Sequence, residues 1–155
     1  QELRSLHRNR ADNWDVYADA RDFTLWKAIL SGSIGTNYRD GHFVLSIEFP
    51  DRYPLVPPDV RFVTPIYHCN INNDGKICHQ VLTSSWNVAV TMRALFEHIS
   101  DLLANPNPDD ALDVNKASLR KADKDAYERE CEQWVEKHAK ATPAQLRQQY
   151  NLHRV

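Results

Sequence analysis

In the stretch HFVLSIEF, His42 to Phe49, Phe43, Leu45, Ile47 and Phe49 fall on one face, with Val44, Ser46 and Glu48 on the other. That period of two is the mark of a β-strand. FTLWKAIL, Phe23 to Leu30, alternates in the same way, so the two segments read as antiparallel strands. Between them SGSIGTNYRDG carries three of the chain's four glycines, and after them PDRYPLVPPDV holds four prolines in eleven residues. Proline lacks the N–H that a ladder needs, so no strand is expected there. VRFV, Val60 to Val63, resumes as a third strand. Further on, Asn72-Asn73-Asp74-Gly75 predicts a turn in which Gly75 takes a positive φ.

The second half changes period. In TMRALFEHISDLLA, Met92, Leu95, Ile99 and Leu102 fall on one side while Arg93, Glu97 and Asp101 form a polar stripe, predicting an amphipathic helix capped near Thr91. Asn105-Pro106-Asn107-Pro108-Asp109-Asp110 ends it. Asp123 reads as the cap of a long helix in which Tyr127, Cys131, Trp134 and His138 share a face, which makes Cys131 core filling. Thr142-Pro143 repeats a cap-then-proline signature and predicts a short helix in PAQLRQQY. Leu3 and Leu6, at helical spacing, predict another within the first nine residues. Strands clustered early and helices late give an α+β domain, with helices packed on an antiparallel sheet.

Composition narrows the partners. The 155 residues fit one domain with an ordinary core, and 19 basic against 21 acidic side chains leave a net charge of −2. That balance argues against electrostatic capture by nucleic acid or by a membrane, and points to another protein or a small molecule. No run approaches the roughly 18 apolar residues of a membrane span, and QELRSLHRNR resembles neither a secretory signal nor a lipidation site. A soluble intracellular protein is the expectation. Cys69, Cys78 and Cys131 are an odd number of cysteines, suited to reduced thiols rather than a disulfide framework. Opening on Gln1 rather than Met suggests a fragment or a processed product.

Two of the cysteines fall in YHCNINNDGKICHQVLTSSW, Tyr67 to Trp86. His68-Cys69 and Cys78-His79 offer four potential metal ligands, but adjacent residues of an extended chain point to opposite sides, and structural zinc draws on ligands two to four apart. No metal is expected. A thiol hydrolase would need a base, and His68, His79 and His98 are all available with nothing in the sequence to choose among them. A blander reading makes both cysteines small buried hydrophobes.

YPLVPPDVRFVTPIYHCNINNDGKICHQVLTSSW, followed by ANPNPDD, closely resembles the catalytic core of ubiquitin-conjugating enzymes. That family has a Tyr-Pro-x-x-Pro-Pro segment, a strand, a Tyr-His-Pro-Asn box, an Asn/Gly-rich turn and Gly-x-Ile-Cys. A Trp eight residues beyond the Cys and, after a helix, Pro-Asn-Pro-Asp-Asp complete the series. Every element occurs here in order from Tyr53 to Asp110, with one change in the box, and the resemblance spans roughly Gln1 to Ala139. It implies an antiparallel four-stranded meander sheet flanked by an N-terminal helix and C-terminal helices. Residues 1–140 would be the catalytic core, with only the second half of the family's first helix before Arg10, and 141–155 a C-terminal helical extension.

The resemblance further implies that Cys78 is the nucleophile. It would accept ubiquitin or a ubiquitin-like modifier as a thioester from an activating enzyme and pass it to a substrate lysine, usually with a ubiquitin ligase, in the cytoplasm or nucleus. No cofactor is implied. A thiolate is intrinsically nucleophilic and a thioester stays reactive towards amines, so no base histidine is required beside it. Asn70 matches the family asparagine credited with supporting the oxyanion, a donor worth roughly 3 kcal/mol in a dry site; the alternative is that it holds the loop together. His68 is expected to be structural. Asn107 and Asp110 match the loop flanking the cysteine, where a carboxylate can orient or deprotonate the attacking ammonium. Helix capping or plain surface charge is the alternative for Asp110.

Several positions depart from the pattern. Cys69 replaces the proline of the box, which frees the backbone beside Asn70 and adds an amide that must find a partner. It also raises the question of a reversible Cys69–Cys78 disulfide. His79-Gln80 replace a common Leu-Asp. Asn87-Val88-Ala89 stand for Ser-Pro-Ala, and Leu55, after Pro54, sits where Phe is frequent. With the first helix, these positions form the family's ligase-docking surface. Glu97 and Asp101 make the helix face that steadies the charged modifier more polar than is usual. Two classes of function follow: an active conjugating enzyme, for ubiquitin or another modifier, or a catalytically weak scaffold that binds ubiquitin or a ligase.

Overall fold

The computed structural model describes residues 1–154. Helix α1 (Glu2–Arg8) leads into four strands, β1 (Trp14–Ala18), β2 (Leu25–Ser31), β3 (His42–Glu48) and β4 (Asp59–Phe62). The chain then runs through an irregular stretch to α2 (Met92–Ala104), α3 (Val114–Ala122), α4 (Lys124–His138) and α5 (Pro143–Gln149). The strands form one antiparallel meander in sequence order, with Leu45 of β3 opposite both Ala28 of β2 and Phe62 of β4. Among the described residues, no helix is long and apolar enough to cross a membrane.

Alternation decides which side of the sheet each residue serves. Trp14, Val16, Trp26, Ala28, Leu30, Phe43, Leu45 and Ile47 enter the main core, where they meet Met92, Leu95, Phe96 and Ile99 from the apolar side of α2. The outer face is also covered. Tyr17, Ile29 and Val44 pack with Leu146 of α5 in a second apolar cluster, flanked by Ala141, Tyr150 and Leu152. Helix α5 begins with a full capping box, Thr142 accepting from Gln145 N–H and the Gln145 side chain accepting from Thr142 N–H. Arg154 pairs with Asp15 of β1 and fastens the tail.

Two elements escape the hydrophobic pattern. Strand β1, WDVYA, has Val16, Tyr17 and Ala18 all buried, because both of its faces are covered, and burial on both faces erases the alternation. The structure also places α3 where the pattern runs directly from Asp110 to Asp123. Its only fully buried residues are Lys116 and Ala117, so its apolar stripe is too thin to register. Asp113 caps α3, and Asp123 both closes it and caps α4.

The turn after β4 sets the path to the functional segment. Gly75 has φ +82°, and a Cβ there would lie 2.0 Å from the Phe62 carbonyl oxygen, whose own N–H donates to Gly75 O at 2.9 Å. Lys116 supports the turn from α3, its Nζ donating to Ile71 O and Asn73 Oδ1, each at 3.2 Å.

Candidate active site

His68 anchors the segment. It is completely buried; its Nε2 donates to Leu102 O at the end of α2 (2.8 Å), and its Nδ1 accepts from Asn70 N–H (3.0 Å). These partners fix the tautomer with the proton on Nε2. Burial pushes the imidazole pKa down to about 4 against the favourable Leu102 carbonyl, and nearby Lys116 pushes the same way, so the ring stays neutral. It serves to hold the box to α2.

Cys69 is also fully buried, and burial raises its thiol pKa. Its carbonyl accepts from both Leu112 and Asp113 N–H at 3.1 Å, its N–H donates to the Tyr127 hydroxyl at 3.0 Å, and its thiol donates to Asn70 Oδ1 at 3.4 Å. The next side chain crosses to the loop after α2. Asn70 Nδ2 donates to Asn107 O (2.8 Å) and Asp110 O (2.9 Å), while its Oδ1 accepts from Asn107 N–H (2.8 Å). Both carboxamide hydrogens are thus engaged in holding that loop. Asn107 in turn caps the 3₁₀ turn Pro108–Asp110 by accepting from Asp109 N–H. Capping therefore belongs to Asn107, and the Asp110 side chain is left exposed.

Cys78 enters this frame through its backbone, donating its N–H to Asn70 O at 2.8 Å. Unlike the other two cysteines it is only partly buried. Burial raises its thiol pKa, the negative charge of Asp110 raises it further, and Lys76 pulls it back. The Asp110 charge therefore reaches the thiol across the small loop that Asn70 closes. All three cysteines are free thiols. The charges felt by Cys69 come from Arg120 and Lys116, and Cys69 in turn acts on Cys131. The Cys69 thiol is engaged by Asn70 within the core, whereas Cys78 lies partly open.

His79 is turned away from thiol chemistry. Its Nδ1 accepts from Val81 N–H at 3.0 Å, capping the 3₁₀ turn Gln80–Leu82, and its ring packs 5.3 Å from that of His98 on α2. Burial, then the neighbouring His98, lowers its pKa, and Asp101 opposes them. Among the described residues, no side chain hydrogen-bonds the Cys78 sulfur.

A second surface lies at the α1 end. Leu55 and Val88 are 66% and 62% exposed, beside Pro54, Asn87 and Ala89. Trp86 Nε1 donates to Pro54 O at 2.9 Å, which joins the two loops, and Asn87 Oδ1 accepts from Ala89 N–H at 2.9 Å. Glu2 of α1 accepts from Met92 N–H (2.6 Å) and from the Tyr53 hydroxyl (2.8 Å), tying this surface to the start of α2. Nothing in the pattern of the chain announces the roles of Glu2, Lys116 and the Tyr127 hydroxyl.

A four-stranded meander with helices at both ends, its partly open thiol framed by the His68–Asn70 segment and the loop after α2, has the architecture of a ubiquitin-conjugating fold. A sequence model described as Ubiquitin-conjugating enzyme matches residues 1–135, and the chain belongs to that family. The E2 domain of a Toxoplasma gondii ubiquitin conjugating enzyme superposes with a TM-score of 0.83 and 32% identity, covering 89% of this chain and 94% of that one. A viral protein titled "Probable bifunctional E2/E3 enzyme", from Acanthamoeba polyphaga mimivirus, is 35% identical over 139 residues, 90% of this chain. The chain spans only 11% of that relative's length.

Proposed function

We propose that the protein accepts ubiquitin, or a ubiquitin-like modifier, from an activating enzyme as a thioester on Cys78 and transfers it to a lysine amine, usually with a ligase. The observation that carries this reading is a partly open thiol fixed through its own N–H to Asn70, beside the loop that brings Asp110 to it. In the first step the Cys78 thiolate attacks the modifier's thioester carbonyl on the activating enzyme. The oxyanion collapses, that enzyme's thiolate leaves, and the acyl group rests on Cys78. In the second a neutral lysine amine attacks the same carbonyl, the C–S bond breaks, and Cys78 leaves as a thiolate. Asp110, whose charge reaches the thiol, orients the lysine ammonium and takes its proton on this reading.

Asn70 works chiefly through the loop it closes, since both of its carboxamide hydrogens are held by Asn107 and Asp110 carbonyls. Support for an oxyanion would require one of these bonds to open. The exposed Pro54, Leu55, Asn87, Val88 and Ala89 surface is the proposed ligase contact, with aliphatic Leu55 and Val88 as its anchors.

The test is incubation with ATP, an activating enzyme and ubiquitin, followed by electrophoresis with and without reductant. An adduct removed by reductant, absent in Cys78→Ala and retained in Cys69→Ala, is the expected result. Label that follows Cys69, or no adduct with ubiquitin or any related modifier, would sink the enzymatic reading in favour of a binding scaffold.

A further inference from the structure

Cys78 stands between two anchors. On one side its N–H donates to Asn70 O at 2.8 Å; on the other the chain passes through His79 into the 3₁₀ turn Gln80–Leu82. That turn carries Val81, 5% exposed, into the main core. As the second residue of the turn, Val81 has an N–H that no carbonyl within the turn receives, and a buried amide with no partner costs about as much as a lost hydrogen bond. His79 Nδ1 receives it at 3.0 Å. The same stretch continues with Ser85 N–H on Gln80 O (2.9 Å) and Trp86 N–H on Thr83 O (3.3 Å), and it closes where Trp86 Nε1 donates to Pro54 O.

We propose that His79 is a positioning residue for Cys78, its neutral imidazole holding the turn that leads away from the thiol and its imidazolium releasing that turn. The proposal rests on Cys78 being the acyl carrier.

Nδ1 can accept the Val81 N–H only while it carries no proton, and protonation there sets donor against donor. Two charged or titratable groups act on the ring, both from α2. His98, its ring 5.3 Å away, opposes a positive charge on His79, and Asp101 favours one. Burial opposes the charge most, so the folded pKa lies below the ordinary 6.5. The cap is therefore complete above that ordinary value and is lost as pH falls through the folded pKa. With the cap gone, Cys78 keeps its hold on Asn70 and loses the one that follows it.

Wild type, His79→Asn and His79→Ala are first to be compared without any modifier. Protection of the Val81 N–H is its NMR exchange rate set against that of an unstructured amide at the same pH. In wild type it should fall about fivefold between about pH 7 and pH 5, as the loss of a cap gives. His79→Asn keeps an oxygen acceptor that takes no proton and should hold its protection over that range. His79→Ala should be low throughout. His98→Asn should move the wild-type midpoint up, and Asp101→Asn should move it down. For transfer, proteins charged at neutral pH are discharged in a single turnover to hydroxylamine, which keeps a reactive neutral fraction in acid. Dividing the wild-type rate by that of His79→Asn cancels what pH does to the amine and to Asp110. The ratio should be level above about pH 7 and fall severalfold by about pH 5.

A His79 ring that titrates while Val81 protection stays constant, or a His79→Asn profile that follows the wild type's, would overturn the proposal. So would a constant discharge ratio beside falling protection, since the cap would then be merely structural. If His79→Ala does not fold, wild type against His79→Asn decides alone. A wild-type protein that takes no modifier refutes the enzymatic reading instead, and the rate at which iodoacetamide alkylates Cys78, taken as the same ratio, then decides whether His79 positions the thiol.

Discussion

On the proposed mechanism, Asp110 would act on Cys78 with opposite signs in the two half-reactions. Burial and the Asp110 charge hold the Cys78 pKa above its ordinary value, so at neutral pH most of the thiol is protonated and only the thiolate can attack. Loading measured under limiting thiolate should rise roughly tenfold per pH unit from about pH 6 to 8, following the deprotonated fraction. Removing the charge with Asp110→Asn lowers the pKa, and loading at fixed pH should speed up by a small factor. Discharge to lysine should fall by about tenfold or more, because the carboxylate no longer takes the ammonium proton. Parallel rapid-quench measurements of the two half-reactions check this; a change of the same sign in both would show that Asp110 is not the proton acceptor. That Cys78 lies beside Asn70 and the loop after α2 was expected from the family resemblance that an ordered series of short motifs carries. The bonds of Asn70 were not, since a carboxamide reads the same in sequence whether its hydrogens face a substrate or two loop carbonyls.

Between elements, the side chain with the most concentrated role is Glu2. One carboxylate serves the first N–H of α2 and the hydroxyl of Tyr53, placing negative charge at a helix N-terminus while joining α1 to the Pro54 loop. Glu2→Ala should cost about 1–2 kcal/mol in urea denaturation, through the unpaired Met92 amide and the lost charge. Ligase binding should weaken more than Cys78 loading, which titration against a cognate ligase and a charging assay separate. Helices α2, α4 and α5 were legible because each pairs an apolar stripe with a capping residue, Thr91, Asp123 and Thr142. In α3 the inward position is held by Lys116, whose burial depends on Ile71 O, Asn73 and Asp113. No periodicity can announce a cation that becomes an interior residue only once those oxygens surround it.

For the whole molecule, strands early and helices late follow from pattern, β1 and α3 excepted, but the second layer on the sheet does not, because it depends on where the C-terminal residues pack. Leu146 meets Tyr17, Ile29 and Val44 on the face opposite α2. Leu146→Asp would set a carboxylate among them, forfeiting about 2–3 kcal/mol of burial and detaching α5. The variant should bind hydrophobic dyes and self-associate in light scattering while still loading Cys78 at close to the wild-type rate; a monodisperse variant of unchanged stability would show that α5 does not seal the sheet. Helix α5 also lies after every strand it covers. A nascent chain therefore has all four strands out of the ribosome while Tyr17, Ile29 and Val44 are still bare, and that face stays uncovered until α5 follows.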